Sequence, residues 1–286
     1  ELDVSTSADV LPRIREYERT STTAINAYVQ PTVRAYIESL TVLLKQNDIL
    51  GSLLIMQSGG GLMGANRAAR EPVTMIESGP AAGVLAARHF LTGIGLKNAI
   101  TFDMGGTTAK ASIIENGTVL KTTEYEVGGD MSATSRLTGG GGYPLSVSAI
   151  DIAEVGAGGG SIVWLDSGGS LRVGPQSASA VPGPVCYGGG GQQPTVTDAN
   201  LILGYLNPQH IAGGAIKLDI EAAREALQDR VAIPLGLTLA DAAFGVHRIA
   251  NSEMMGAIRA VSTQRGRDVR NFAMVAFGGS GPAHAA

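Results

Sequence analysis

The sequence has little cysteine, little charge and no long apolar run. Its 286 residues include one cysteine, Cys186, which excludes an intrachain disulfide framework and fits a reducing compartment. Charged residues make up only 16%, and the net charge of −4 leaves no basic surface for nucleic acid or an anionic membrane. No run of about 18 apolar residues predicts a transmembrane helix. We therefore expect a cytoplasmic protein that binds neither nucleic acid nor a membrane.

Several catalytic signatures are also missing. The sequence contains neither a G-x-x-x-x-G-K-[ST] phosphate loop nor a G-x-S-x-G nucleophile elbow. The four histidines, His89, His210, His247 and His284, lack the spacing of a zinc site. Cys186 has no histidine beside it to activate the thiol, so we expect a buried, inert side chain. These absences exclude a P-loop, a serine-hydrolase elbow and a zinc site of ordinary spacing.

Glycine is the residue that the sequence has in excess. Its 40 glycines occur in short runs between apolar segments without a fixed period, which excludes collagen and indicates tight turns or close approach to a ligand. Hydrophobic residues, at 44%, provide a core for one large domain or two lobes. Helical and strand patterns alternate, with glycine turns at strand ends. This order predicts an α/β or α+β nucleotide-binding fold.

Residues 1–98 are predicted to be helical, with two short strands. Apolar residues recur every three or four positions up to Gln46, which predicts a helix that Pro31 kinks or divides. Strands are predicted at Leu53–Gln57 and Val73–Glu77. Ser78 is then expected to cap an alanine-rich helix or to help bind an anion at its N-terminus.

The rest of the chain divides into three predicted stretches. Residues 99–127 are expected to form three antiparallel strands, with Asn116-Gly117 as a hairpin turn. Residues 128–197 form a glycine-rich insertion with short strands. Residues 198–286 are helical and end in a buried strand and a glycine loop.

The sharpest signal is an apolar strand that ends in the sequence D-M-G-G-T-T. Glycine at 105 and 106 lets the backbone N–H groups of Gly105 and Gly106 approach phosphate oxygens. The hydroxyls of Thr107 and Thr108 add donors. Asp103 can hold Mg²⁺ directly or through water, and it is our first catalytic candidate. An ordinary glycine hairpin is the alternative, although the carboxylate and the two threonines favour phosphate binding.

This D-x-G-G-T-[ST] hairpin resembles the phosphate hairpins of the actin, Hsp70 and sugar-kinase ATPase superfamily. Other segments, in the same order along the chain, resemble the ATP-binding A-type chains of the hydantoinase/oxoprolinase family. They are R-E-Y-E-R-T-S-T from Arg15, E-S-G-P-A-A-G from Glu77, G-A-G-G-G-S from Gly156, R-V-G-P-Q-S from Arg172, P-G-P-V-C-Y-G from Pro182, T-V-T-D-A from Thr195 and F-G-G-S-G-P from Phe277. The resemblance covers nearly the whole chain.

The resemblance implies an actin/Hsp70-like (ribonuclease H-like) α/β ATPase lobe with a glycine-rich β insertion. ATP with Mg²⁺ would phosphorylate a carbonyl or enolate oxygen of the substrate. Two phosphate hairpins hold the nucleotide in that superfamily, and Asp103–Thr108 corresponds to one of them. The other is expected in an N-terminal lobe of a longer chain, of which residues 1–286 would be an excised hydantoinase A-type domain. The expected partner is a B-type hydantoinase subunit.

Three functions remain open at this stage. The first is an ATP-dependent cyclic amide hydrolase of the N-methylhydantoinase or 5-oxoprolinase type, acting on a small-molecule ring. The second is the ATP-binding subunit of an acetone or ketone carboxylase. The third is a non-catalytic module in which nucleotide binding controls an interaction.

The resemblance also assigns residues near the C-terminal end. It implies that Gly278, Gly279, Ser280 and Gly281 form the adenosine loop, where glycine lets adenine or ribose lie against the backbone. A plain turn between a strand and a helix is the alternative. His284, just beyond the loop, is expected to lie near the nucleotide.

Three further features have mixed interpretations. Asp198 is either a first-turn acid that stabilises a helix, which we favour, or a second catalytic carboxylate. Lys110, where many family members carry aspartate, either offsets phosphate charge or lies on an exposed strand face, and we favour the exposed face. Gly156–Ser161 either binds phosphate or substrate or supports a tight bend. Asp151 and Glu154 lie in a strand pattern that sends them to opposite faces, so we expect no paired-carboxylate site there.

Overall fold

The computed structural model describes residues 3–123, 125–128, 142–209, 214 and 216–285, over which the fold is α/β, as predicted. The helices are α1 (Ser7–Val10), α2 (Glu16–Gln46), α3 (Ala65–Arg70), α4 (Ser78–Gly93), α5 (Val196–Ile202), α6 (Ile220–Leu227), α7 (Ile233–Leu235) and α8 (Leu239–Val261). The strands are β1 (Leu54–Met56), β2 (Leu62–Gly64), β3 (Ala99–Met104), β4 (Ala109–Glu115), β5 (Thr118–Val119), β6 (Lys121–Thr122), β7 (Tyr125–Val127), β8 (Tyr143–Leu145), β9 (Ala149–Ile150), β10 (Ile152–Val155), β11 (Ser161–Leu165), β12 (Leu171–Ser177) and β13 (Ala273–Phe277). None of the described helices is both long and apolar enough to cross a bilayer.

The described residues divide into two compact units. The first contains the residues up to Asn98 and those between Ser112 and Ile152, whereas the second contains Ala99–Ala111 and the residues from Ala153 onwards. His210 and residues 129–141 of the predicted insertion lie outside the described residues. Both segments with a predicted nucleotide role, at 103–108 and 278–281, therefore belong to the second unit.

In the first unit, the long helix α2 forms side-chain hydrogen bonds to the backbone of segments that come later in the chain. The helix runs through Pro31 without a break, so the predicted division is wrong. Pro31 is exposed, so the carbonyl that loses its partner lies on the solvent side. On the opposite face the Asn26 side chain donates to the Arg70 carbonyl (3.0 Å) and accepts from the Val73 N–H (3.2 Å).

The predicted strand at Val73–Glu77 is wrong. Pro72–Met75 forms a 3₁₀-helix, because proline at its first position fixes a helical φ and Asn26 supplies the hydrogen bond that a neighbouring strand would give. Helix α4 begins at Ser78, so Ser78 is its first residue. The residue before the helix is Glu77, which has a φ of 63° and makes no side-chain cap. The predicted capping role of Ser78 is therefore also wrong.

The sheet that carries the D-M-G-G-T-T segment has the order β10–β4–β3–β13. Strand β3 is buried apart from Asp103, which matches the apolar pattern in the sequence. Strand β13 runs parallel to β3, with Phe277 opposite Asp103. The carboxyl ends of the two strands lie at the same edge, so this topology brings the two glycine segments together.

The third strand predicted within residues 99–127, after the Asn116-Gly117 turn, is divided between two short pairings. Val119 pairs with Ile114 of β4, whereas Lys121 pairs with Ile150 of β9. The helical character predicted for residues 198–286 is confirmed by α6, α7 and α8. Helix α8 buries one side, including Val246, and contacts α5 and β12.

Candidate functional site

A closed hairpin turn connects β3 to β4. The Gly105 N–H donates to the Thr108 carbonyl (3.1 Å), and Gly106 and Thr107 at the tip are exposed. No described residue accepts a hydrogen bond from the N–H of Gly106 or Thr107. The turn therefore presents backbone donors that are open to a ligand.

The Gly156–Ser161 segment covers the carbonyl side of this turn. The Gly159 N–H donates to the Gly105 carbonyl (3.0 Å), and the Gly160 N–H donates to the Gly106 carbonyl (2.6 Å). A side chain at Gly158 would lie 2.6 Å from the Gly106 carbonyl carbon, so only glycine allows this contact. Of the two predicted roles, the contacts support the structural one.

These hydrogen bonds fix the direction of the open N–H groups. In a trans peptide the C=O and the next N–H point in opposite directions. Both bonds are trans, because the carbonyls of Gly105 and Gly106 belong to no cis peptide. Since both carbonyls point at the glycine segment, the N–H groups of Gly106 and Thr107 both point away from it. Successive N–H groups on one side form an anion-binding concavity.

The third segment, Gly278–Gly281, lies against the same hairpin. The Ser280 N–H donates to the Met104 carbonyl (3.0 Å). Gly278 has a φ of +83°, and a side chain there would collide with the Asp103 carboxylate and the Met104 carbonyl. Glycine is therefore required for this approach, which brings the predicted adenosine loop beside the predicted phosphate hairpin.

Asp103 is a half-buried carboxylate at the end of β3. Burial raises the pKa of this carboxyl, and the Lys110 ammonium opposes that shift. No described residue donates a hydrogen bond to this carboxylate, so no described donor competes with a cation for its oxygens. A single carboxylate beside a phosphate site fits Mg²⁺, which keeps most of its waters and takes one or two carboxylates.

Lys110 is paired, and the predicted exposed position is wrong. Its Nζ donates to Glu154 Oε1 (2.6 Å) and to Thr108 Oγ1 (2.8 Å), and its side chain is only 16% exposed. The reason is that β4 and β10 are neighbouring strands, which brings the two opposite charges together. An ammonium has no lone pair, so the Thr108 oxygen must accept, and its O–H hydrogen remains to donate elsewhere.

Asp198 is completely buried in the first turn of α5. Its oxygens accept from the N–H groups of Thr195 (2.8 Å), Cys186 (2.8 Å) and Val185 (3.3 Å). Together with the Thr195 hydroxyl this forms a capping box, as the favoured structural interpretation requires. These contacts already occupy both oxygens, which favours the structural role. A catalytic role for Asp198 stays a prediction.

Cys186 is buried, as expected. Burial, together with the neighbouring Asp198 charge, raises the pKa of its thiol. A thiol in this environment stays protonated and unreactive.

A hydrogen-bonded group of two asparagines and two histidines lies next to the Gly278–Gly281 segment. His284 contacts Asn200 through Nε2 (2.8 Å) and Asn251 through Nδ1 (2.6 Å), and His247 Nδ1 contacts Asn200 (2.9 Å). The two imidazole rings stack at 4.5 Å. Neither asparagine is predicted as a site residue from the sequence, although His247 and Asn251 are four residues apart in one helix and so share a face.

The amide orientations assign the hydrogens of this group. The Asn200 NH₂ donates to His284 Nε2, so the His284 hydrogen lies on Nδ1 and is donated to Asn251 Oδ1. These contacts engage both ring nitrogens of His284 and do not test whether it lies near a nucleotide. That position stays a prediction. Within the described part of the chain, no three His, Cys, Asp or Glu side chains are grouped to hold a metal ion.

Comparison with known proteins identifies relatives along the whole chain. The Hydantoinase/oxoprolinase family profile matches residues 19–286. The alpha subunit of caprolactamase from Pseudomonas jessenii is 41% identical over 98% of this chain and 38% of its own length. The crystal structure of that ATP-dependent caprolactamase superposes with a TM-score of 0.74, covering 97% of this chain and 38% of that one.

A second solved structure is similar in fold. Nucleotide-free acetone carboxylase, an enzyme of ATP-dependent acetone carboxylation, gives a TM-score of 0.85 at 30% identity, covering 98% of this chain and 37% of that one. The chain thus spans less than two fifths of each of these proteins. Both neighbours support the predicted ATPase-like α/β fold.

Proposed function

This chain belongs to the hydantoinase/oxoprolinase family, and from that premise we propose that it is the nucleotide-binding domain of an ATP-dependent enzyme that opens a cyclic amide. Caprolactamase, at 41% identity, acts on a lactam by its name, which supports amide chemistry over the alternatives. The proposal covers the reaction class and leaves the ring to be identified by experiment.

The observation that carries the proposal is the direction of the two N–H groups at the hairpin tip. The glycine segment 156–161 binds the carbonyls of Gly105 and Gly106, so the N–H groups of Gly106 and Thr107 converge on the opposite side. The Thr108 hydroxyl, whose oxygen accepts from Lys110, adds a donor. Such donors suit phosphate oxygens, which accept hydrogen bonds only.

The other residues would complete the site in distinct roles. Asp103 would hold Mg²⁺, which neutralises phosphate charge when bound. Gly278, Gly279, Ser280 and Gly281 would contact the adenosine. ATP would supply a phosphoryl group to the amide carbonyl oxygen and leave as ADP. Water would then attack the carbonyl carbon and the ring C–N bond would break to give an acyl phosphate and the free amine, after which a second water would release phosphate and the carboxylate.

We further propose that the domain works within a longer chain and beside a second subunit. The caprolactamase relative is called an alpha subunit, and the chain covers 38% of it. An N-terminal lobe would bring a second phosphate hairpin, and a B-type subunit would be the partner.

Two alternatives are tested by the same experiment. The TM-score of 0.85 with acetone carboxylase favours a ketone-carboxylating subunit, in which a ketone and bicarbonate replace the ring. A non-catalytic nucleotide-binding module is the other alternative. The identity of 41% with caprolactamase against 30% with acetone carboxylase favours the amide reaction.

The experiment uses the full-length protein with its co-purifying subunit. Calorimetry first measures the binding of Mg-ATP and Mg-ADP, and phosphate release is then followed with lactams, hydantoins and 5-oxoproline, and separately with acetone plus bicarbonate. Release that depends on a cyclic amide supports the proposal. Release that depends on the ketone and bicarbonate supports the carboxylase, and binding without stimulated release supports the module. Absence of nucleotide binding would reject all three.

A further inference from the structure

The hydrogen-bonded group of asparagines and histidines ties the end of the Gly278–Gly281 segment to two helices. His284 is the last residue of a single 3₁₀ turn, Gly281–His284, which continues that segment. Its ring contacts Asn200 of α5 through Nε2 (2.8 Å) and Asn251 of α8 through Nδ1 (2.6 Å). The two asparagines thus hold both nitrogens of one ring, and we call these three residues the His284 clamp.

The clamp is one of two anchors of this segment. The other is the Ser280 N–H, which donates to the Met104 carbonyl at the end of β3 (3.0 Å). Between the two anchors Gly281 is buried, and a side chain there would lie 3.4 Å from the Met104 nitrogen. Only three peptide bonds separate Gly281 from His284, so release of the His284 ring would free the backbone at the end of the segment.

Helix α5 connects the clamp to the phosphate hairpin. Thr197, one turn before Asn200, donates from its N–H (2.7 Å) and its Oγ1 (2.8 Å) to the Gly159 carbonyl. The Gly159 N–H in turn donates to the Gly105 carbonyl of the hairpin (3.0 Å). Residues three apart are neighbours on one face of a helix. One face of α5 therefore holds the hairpin through Thr197 and the Gly278–Gly281 segment through Asn200, which fixes the position of one relative to the other.

The contacts of Asn200 require a carboxamide at this position. Asn200 is only 1% exposed, and its Nδ2 donates to His284 while its Oδ1 accepts from His247 Nδ1 (2.9 Å). A carboxamide carries a donor and an acceptor on the same carbon, whereas a carboxylate only accepts and leucine does neither. A buried polar network whose members are all hydrogen-bonded is rigid. Asn200 is therefore matched to both rings, and an apolar residue of the same size would release His284.

We propose that Asn200 is a positioning residue for the nucleotide. Through the His284 clamp it keeps the Gly278–Gly281 segment in the conformation that receives the adenosine, at a fixed distance from the phosphate donors of the hairpin. The inference rests on the proposed function, since it takes this segment to contact the adenosine. It adds a role for Asn200 and Asn251, which act through the backbone of the segment and not by contact with the nucleotide.

A segment released from the clamp should bind nucleotide more weakly. The nucleotide would then have to order the segment as it binds, and the free energy of ordering is lost from the affinity. Ordering the backbone of one residue is worth about ten-fold in affinity. We therefore expect Asn200→Leu and Asn251→Leu each to raise the Kd for Mg-ATP about ten-fold, measured by calorimetry on the full-length protein with its partner subunit.

Two control variants separate positioning from stability. His247→Phe removes the other partner of Asn200 and leaves the His284 clamp in place. It should lower the free energy of unfolding, because the buried Asn200 oxygen loses its donor, and yet keep the wild-type Kd for Mg-ATP. Asn251→Asp keeps an acceptor for His284 Nδ1, so it should restore the affinity that Asn251→Leu loses. Urea unfolding of the same samples establishes that each variant is folded under the conditions of the calorimetry.

The pattern across the four variants decides the inference. Weaker Mg-ATP binding in the leucine variants, with wild-type binding in His247→Phe and Asn251→Asp, supports it. Wild-type binding in a folded leucine variant, or equal losses in Asn200→Leu and His247→Phe, overturns it and leaves the nucleotide site standing. Asn251 is partly exposed, so Asn251→Leu and Asn251→Asp decide the question if Asn200→Leu does not fold. If the wild type binds no Mg-ATP, the proposed function fails and the inference fails with it.

Discussion

At the scale of the residue, Asp103 is subject to two opposed requirements. An open carboxylate serves a cation, but burial raises the pKa of Asp103 above the ordinary 3.8, so the fold alone favours the protonated form. Protonated Asp103 stabilises the folded protein fully at pH values below the pKa that Asp103 has in the unfolded chain. This stability is lost as the pH rises through the higher pKa that Asp103 has in the folded protein. Charged Asp103 therefore destabilises the nucleotide-free protein at pH 7.

Asp103→Asn should consequently separate stability from function. We expect a higher melting temperature than wild type at pH 7 without nucleotide, and a difference that disappears as the pH falls below 3.8, where Asp103 becomes protonated in both states. Calorimetry should show a loss of Mg-ATP affinity in the same variant, because an amide is a poor Mg²⁺ ligand. Asp229→Asn, at an exposed position, is the control for both measurements. Unchanged Mg-ATP affinity in Asp103→Asn would show that the cation site is assigned wrongly.

The contribution of His284 to stability changes with pH in the direction opposite to that of Asp103. Burial and the stacked His247 ring lower the pKa of His284 from 6.5 to about 4, and the facing asparagines, Asn200 and Asn251, are neutral. Between pH 6.5 and about pH 4 the unfolded chain therefore binds more protons than the folded chain. Stability supplied by neutral His284 is present above pH 6.5 and is lost as pH falls towards 4.

The prediction is that His284→Gln makes stability less dependent on pH. Glutamine cannot be protonated, so urea unfolding between pH 7 and pH 4.5 should show a smaller fall in the free energy of unfolding than wild type. His89→Gln, at an exposed residue of α4, should keep the wild-type fall. Equal pH dependence in His284→Gln and wild type would mean that His284 does not titrate as its surroundings require.

At the scale of the element, two helices begin with the same capping pattern in different surroundings. In α5, Thr195 and Asp198 form a buried capping box, and Asp198 also accepts from Cys186. In α8, Thr238 and Asp241 make the same side-chain contact (2.7 Å) at the surface. The comparison measures what burial adds to a helix cap.

Asp198→Ala should destabilise the protein by about 3 kcal/mol or more, because buried N–H groups lose their acceptor. Asp241→Ala should cost about 1 kcal/mol, the usual value of an exposed cap. Urea unfolding of both variants provides the comparison. Equal losses would contradict the structural role assigned to Asp198, and its predicted catalytic role would then be tested by turnover.

Local patterns predicted the long elements and failed where distant partners decide the conformation. The apolar run that ends in D-M-G-G-T-T forms β3, and the stretch predicted to be helical, residues 198–286, contains α8. The strand predicted at Val73–Glu77 is wrong because the pattern cannot reveal that Asn26 binds the Val73 N–H. Lys110 was placed on an exposed face because nothing local indicates that Glu154 lies in the neighbouring strand.

The same limit applies to the candidate site. Its three glycine-rich segments were visible in the sequence, and the family resemblance assigned two of them to the nucleotide. That Gly159 and Gly160 bind the hairpin carbonyls follows only from the folded backbone. The direction of the open N–H groups, which supports phosphate binding, therefore could not be predicted from residue types.

At the scale of the whole molecule, the parallel pairing of β3 with β13 joins distant parts of the chain. Asp103 and Phe277 are register partners, so the second unit must be folded before the hairpin and the Gly278–Gly281 segment can meet. Cys186 lies in the core of the same unit, packed with Leu201, Leu218 and Ala223. Its thiol is therefore a reporter for the unfolding of the unit that carries the candidate site.

The final prediction is that nucleotide protects this thiol. At pH 8 Cys186 should react with a thiol reagent only through unfolded molecules, because the thiol is fully buried and burial raises its pKa. Mg-ATP at 100 times its dissociation constant should slow labelling about 100-fold, since a ligand of the folded state reduces the unfolded population by that factor. Peptide mass spectrometry assigns the label to Cys186. Rapid labelling of the native protein would contradict the burial, whereas slow labelling that Mg-ATP leaves unchanged would contradict nucleotide binding by this unit.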